Sequence, residues 1–386
     1  MRRHWWWLVA SGVVAFPGLA MRVGLLHGGP EVEALLFGVA IVGGAFILSW
    51  AAEVAQLDMS QGLALSLLAL IAVLPEYVVD ASFAWLAASK PEYVHYAVAN
   101  MTGANRLLIG IAWPLVVFLV WFRFRRTRVE LEEGHGLELI VLAAASLYAF
   151  TMPLKGSISL VDFVVMLALF IFYMYRVAKM PSEEPHLVGP ARLVGELTPW
   201  LRRTVMAGMA LFSAAVILLV AHPFAEALVE SGTSLGIDEF LLVQWVAPLA
   251  SEAPEFIVVL LFAWRGMSTA ALGTLVSSKI NQWTLLVGML PLVYSIALGE
   301  PTALPLDTRQ QHEVFLTAAQ SMFAMALLLN LSLSTVGASM ILGLFLVQAV
   351  FPETRMVVGF VYLVLAVLVL IRTRHHLGPT FRTLRR

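Results

Sequence analysis

Successive apolar stretches along the chain each approach the length needed to cross a hydrocarbon core of ~30 Å. They fall near residues 5–25, 34–53, 60–89, 93–122, 137–152, 158–177, 203–225, 238–265, 268–299, 310–330, 335–351 and 356–372. Backbone polar groups inside lipid must be satisfied within the chain, and runs of this length satisfy them as helices. The expected fold is therefore an all-α polytopic membrane protein with about ten to twelve transmembrane helices. Hydrophobic residues make up 60% and charged residues 13%, against roughly a quarter charged in soluble domains. The chain has no cysteine, which excludes disulfides, thiolate chemistry and cysteine-held zinc or iron–sulfur centres. Neither His-Glu-x-x-His nor Gly-x-Ser-x-Gly occurs, so the usual hydrolase signatures are missing and the chain does not read as an enzyme. No organic cofactor is implied.

Loop charge orients the spans. With both termini cytoplasmic, about 17 of the 24 Lys and Arg residues lie in loops of one side and about five on the other, as the positive-inside rule requires. The basic N-terminus before Trp5 then flanks a first transmembrane helix, a reading that suits the pattern better than a cleaved signal peptide. The proline-bearing stretch 178–202 reads as a cytoplasmic linker, with five spans before it in 34–177 and five after it in 203–351. Segments 1–33 and 352–386 each add one helix, the latter with a basic tail. An odd number of spans per half inverts one half relative to the other, the architecture of secondary transporters that bind near the bilayer midplane.

Two stretches tie the halves together. Pro75-Glu76 is followed by Phe83-Ala84-Trp85, and Pro254-Glu255 by Phe262-Ala263-Trp264, at the same offset. Proline lacks an N–H and its ring opens the helix, so broken helices are expected at Pro75 and Pro254, with the carbonyls of Ile71 and Ala250 released. A carboxylate costs at least ~2.5 kcal/mol to place at the centre of a membrane helix, which makes Glu76 and Glu255 functional candidates. Carboxylates beside free carbonyls suit hard cations or protons. Ser251 and Glu252 precede the second break, and Glu252 can line the same cavity. Asp80 follows Glu76 by one turn, either as a second ligand or as an ion-pair partner of Lys279. One helix further on lie Asn100 to Arg106 and Gly273 to Gln282, whose amides and hydroxyls supply neutral oxygens; Ser278 and Asn281 belong to this group.

At these residues the chain resembles the cation/Ca²⁺ antiporter superfamily, the sodium/calcium exchangers, over roughly 60–122 and 238–299. The resemblance implies two inverted five-helix repeats, Glu76 and Glu255 as central cation-binding carboxylates, Asn105 as an accompanying ligand, and alternating access driven by a Na⁺ or H⁺ gradient. The departures are informative. The family's Gly-Thr-Ser-Leu before Pro-Glu is Ile71-Ala72-Val73-Leu74 in one half and Ala250-Ser251-Glu252-Ala253 in the other. Lys279 falls where the family has Asn or Asp, unless a two-residue gap pairs Asn105 with Asn281 instead. A lysine facing the site is a built-in cation that disfavours a divalent ion; Arg106 acts likewise, or anchors Glu252 or Asp80. The expected function is a secondary cation antiporter of sodium/calcium exchanger type, carrying Na⁺ and Ca²⁺, in the plasma membrane. The alternative is a proton-coupled or monovalent cation antiporter on the same fold; an intramembrane enzyme using His95, His222 or His312, or a channel, ranks below both. The partners are the lipid bilayer and inorganic cations, with no nucleic acid. The oligomeric state is open, and a monomer satisfies the pattern.

Overall fold

The computed structural model describes residues 2–55, 57–58, 74–131, 135–177, 179, 187 and 189–374. Each predicted apolar stretch coincides with a helix, except that residues 60–73 lie outside the described residues. Among the described residues, seven helices are long and apolar enough to cross a membrane, or eight counting one bent pair as a span. Two shorter apolar helices, Trp6–Arg22 and Thr335–Val350, accompany them. Thr308–Leu328 is not among the seven, and it buries Gln310, Glu313 and Gln320. Ile71, whose carbonyl Pro75 was expected to release, also lies outside the described residues, as does most of 178–188 and the tail beyond Arg374.

The chain forms two compact units, Met1–Ser89 with Met174–Glu255, and Lys90–Tyr173 with Phe256–Arg386. Each draws on both sequence halves. The first is built on helix Pro30–Ala55 packed lengthwise against Pro199–Leu235. These two run antiparallel: Glu31 at the start of one accepts a hydrogen bond from Ser234 near the end of the other, and Asp58, just beyond Ala55, pairs with Arg202 and Arg203 near the start of the second. Small residues permit the close approach of Arg2–Arg22 to the same helix. A Cβ on Gly43 would sit 2.6 Å from the Ser11 carbonyl oxygen, so only glycine fits. The short helix Pro190–Gly195 seals this end, with Ala191 and Val194 packed on Trp50, Val54 and Met209.

In the second unit two helices share an unusual construction. Tyr93–Leu107 continues through a five-residue π segment, Leu108–Ala112, into Trp113–Phe124. Ser268–Asn281 continues through a five-residue π segment, Gln282–Leu286, into Val287–Leu298. Such π insertions are rare and concentrate at functional sites. Helix Thr308–Leu328 starts on a capping box, in which Asp307 accepts from the Gln310 amide and Gln310 accepts from the Asp307 amide.

Two short antiparallel ribbons link the sequence halves reciprocally. Strand Arg128–Glu130 pairs with Ser332–Ser334, and Ser157–Ile158 with Leu304–Pro305. In each half, one strand follows the π-containing span and the other separates the next two spans; each ribbon joins one kind from one half to the other kind from the other.

Candidate cation site

In the first unit, helix Leu74–Leu86 buries nearly all of its circumference. Glu76 is 2% exposed and Asp80 fully buried, one turn apart on the same face,. Proline at the second position of a helix is well tolerated, because the amides of the first turn have no intrahelical acceptor. Helix Glu239–Trp264 bends by 62° between Glu239–Ala253 and Glu255–Trp264, where Pro254 removes a backbone donor. Ser251 and Glu252 before this bend are buried, and Glu255 after it is half-buried. The Ser251 hydroxyl donates back to its own helix, to the carbonyls of Ala247 and Pro248 at 3.3 and 3.2 Å, so only its lone pairs remain to meet a cation. Among the described residues no three His, Asp or Glu side chains converge within metal-binding reach. Glu76, Asp80, Glu252 and Glu255 are therefore not gathered into one cluster in this conformation.

In the second unit, Asn105 and Lys279 meet. Asn105 donates through Nδ2 to the Met101 carbonyl at 2.9 Å, which fixes its amide and presents Oδ1 to the Lys279 ammonium at 2.6 Å. The ammonium also lies 4.4 Å above the Trp283 ring, a cation–π contact. Asn105 stands three residues before the first π segment and Lys279 three residues before the second. The ungapped register, in which Lys279 corresponds to Asn105, is thus the one in which the two positions touch. Asn281 is 4% and Ser278 8% exposed. The Asn105 oxygen, an expected cation ligand, is already held by a cation belonging to the chain.

Arg106 serves a different set of groups, because one residue along a helix turns the side chain by about 100°. Its Nη2 lies 2.5 Å from Glu313 Oε2, its Nη1 donates to Gln348 Oε1 at 2.7 Å, and Arg355 Nε lies 2.5 Å from Glu313 Oε1. Arg106 is thus a member of a buried ion network with Glu313, Gln348 and Arg355. Sequence reading missed Glu313, whose signal was an acid inside an apolar stretch. It also missed a second cluster: buried Glu138 accepts from Tyr173 at 2.9 Å and Ser277 at 2.6 Å, and lies 2.5 Å from His135. Of the histidines weighed as bases, His95 contacts Gln310 and Asp307, and His222 lies 3.8 Å from Glu226.

The model of one family, described as sodium/calcium exchanger protein, matches the chain twice, over residues 33–179 and 205–352. Among solved structures, the H⁺/Ca²⁺ exchanger CAX is 44% identical, with all of this chain and 98% of that one covered at a TM-score of 0.96. The structure of native YfkE is 14% identical over 88% of this chain and 98% of that one, with a TM-score of 0.64. The sodium-calcium exchanger NCX_Mj is 17% identical over 83% and 98%, with a TM-score of 0.55. At those identities the last two show a shared fold alone. A comparison with curated protein sequences gave no match.

Proposed function

The chain belongs to the sodium/calcium exchanger family, and from that premise we propose that it is a secondary antiporter exchanging Ca²⁺ for H⁺. The observation that carries this reading is the pair of Pro-Glu sites, with Glu76 only 2% exposed and Glu255 directly after a 62° bend. Carboxylates in water-poor surroundings must be neutralised. Two of them accept one divalent cation or two protons, so the same charge crosses in each half-cycle. Glu76 and Glu255 are the carriers, with Asp80, Ser251 and Glu252 as accessory oxygens on the same two helices. Asn105, Ser278 and Asn281 are further ligand candidates, and Asn105 contributes only after Lys279 moves off its oxygen. Protons are favoured over Na⁺ as the coupling ion by the loss of hydroxyls before Pro75 and by the 44% identity to an H⁺/Ca²⁺ exchanger.

Two inverted repeats, 34–177 and 203–351, are supported by the double family match, by the antiparallel pairing of the first helix of each half, and by the reciprocal ribbons. The proposed location is the plasma membrane, and the loop charges favour both termini on its cytoplasmic side. A second reading, monovalent cation/proton exchange, draws on one observation, the Lys279 ammonium bound to Asn105.

Flux in proteoliposomes tests the proposal. Ca²⁺ uptake should follow an imposed pH gradient, ignore a Na⁺ gradient, and disappear in Glu76→Gln and Glu255→Gln. Uptake driven by Na⁺ alone, or unaffected by both substitutions, would overturn it.

A further inference from the structure

The second unit holds a cavity of about 450 Å³ that cation exchange does not use, lined by Arg125, Arg126, Thr127, Arg128, Glu130, Ser268 and Thr269. Three arginines and one glutamate therefore line one space. Among the described residues none of the three arginines has an acid within ion-pair distance, whereas Asp58 alone takes two arginines elsewhere in the chain. Like charges lining one space repel, and an anion in the cavity relieves that repulsion.

The backbone around the cavity is held in place. Arg125 adopts a left-handed conformation, φ 58°, and closes helix Trp113–Phe124 by donating its amide to the Trp121 carbonyl at 2.9 Å. Arg128–Glu130 is fixed by its ribbon with Ser332–Ser334, extended on either side by Thr335 N–H to the Thr127 carbonyl at 2.9 Å and Leu131 N–H to the Leu331 carbonyl at 2.7 Å. The fourth wall is the start of helix Ser268–Asn281, which no side chain caps. Its first amides and its dipole add to the positive field of the arginines. Exposed Trp121 and Trp264 flank the cavity in sequence, with Arg123 stacked 4.3 Å above the Trp264 ring. Exposed tryptophans of this kind sit at the headgroup level of a bilayer.

We propose that this cavity binds a phosphate group, carried by an anionic phospholipid headgroup or present as a free phosphate. Guanidinium groups match phosphate oxygens in bidentate geometry, and basic pockets at the cytoplasmic ends of membrane helices take such headgroups. The wall formed by Ser268–Asn281 belongs to the helix that carries Ser278, Lys279 and Asn281, so occupancy acts on an element of the candidate cation site.

Binding is measurable independently of transport. Purified protein in mixed micelles is titrated with phosphatidylglycerol, with phosphatidylcholine, and with inorganic phosphate, and the unfolding temperature is followed. Each arginine contributes about fivefold to the attraction of an anionic headgroup. Arg126→Gln/Arg128→Gln should therefore weaken the phosphatidylglycerol response about 25-fold, while Arg372→Gln/Arg374→Gln, which removes the same charge from the end of another helix, leaves it within about twofold. Phosphatidylcholine should be inert. A response to inorganic phosphate, lost in the first variant only, would assign the site to soluble phosphate. Equal losses in the two double variants, or no response to either anion, would overturn the proposal. All four arginines are exposed, so neither variant alters the packed core.

Discussion

Glu313→Gln is the most exacting test of the buried network beside Asn105. Glu313 is fully buried and touches two guanidinium groups, Arg106 at 1% and Arg355 at 13% side-chain exposure, each at 2.5 Å. At that distance the gross attraction to Arg106 is about 6–7 kcal/mol with an effective dielectric constant near 20, and desolvation of both ions offsets much of it. The net consequence of removing one partner is better measured by the charge left behind, about 3–5 kcal/mol for a buried pair. Arg355 reaches water and contributes little to that figure; Arg106, walled in by Thr102, Gln348 and the chain around it, does not. We expect Glu313→Gln to destabilise the detergent-solubilised protein by about 3–4 kcal/mol in reversible denaturant unfolding. Arg106→Met alone should cost a similar amount, and the double variant about 2–3 kcal/mol less than the sum. A loss below about 1 kcal/mol for Glu313→Gln, or strictly additive effects, would show that the network stabilises nothing.

Lys279→Asn removes a positive charge and frees the Asn105 oxygen, so Ca²⁺-dependent thermal stabilisation should shift to about tenfold lower Ca²⁺; an unchanged midpoint would place the ammonium outside the site's electrostatic reach. A Cβ on Gly110, in the first π segment, would lie 2.9 Å from the Phe345 Cβ and closer still to its ring. Gly110→Val should therefore cost about 1–3 kcal/mol, with Phe345→Leu in the same chain recovering part of the loss on unfolding. Hydrogen bonds from Arg202, then Arg203, hold the Asp58 carboxyl below its ordinary range. The stability this contributes is complete above the unfolded value of about 3.9 and lost as pH falls below it; Asp58→Asn should flatten the acid limb of a melting-temperature profile only in that window.

How much of the molecule was legible beforehand depended on how far apart the interacting groups lie in sequence. The helices of each apolar stretch follow from local hydropathy, and the bend at Pro254 from a missing N–H one position before Glu255. The two π segments left no such trace: Leu108–Ala112 and Gln282–Leu286 share no motif. The fate of Arg106 was equally hidden, since Gln348 lies 242 positions away. Glu138 was overlooked because one acid in the first turn of a helix usually answers the helix dipole, whereas here it is buried among Tyr173, Ser277 and His135.

The sequence by itself therefore determined the membrane class, the apolar helical character of the chain, the loop charge asymmetry and the duplicated Pro-Glu pairs. All of these are set by the solvation of single residues or by the covalent peculiarity of proline. Tertiary structure alone decided which of two registers brings Lys279 to Asn105, and that Arg106 turns to Glu313. Arg106 and Lys279, buried on corresponding helices of the two halves, each carry a desolvation cost in any register, and only the packed neighbours offer the oxygens that offset it.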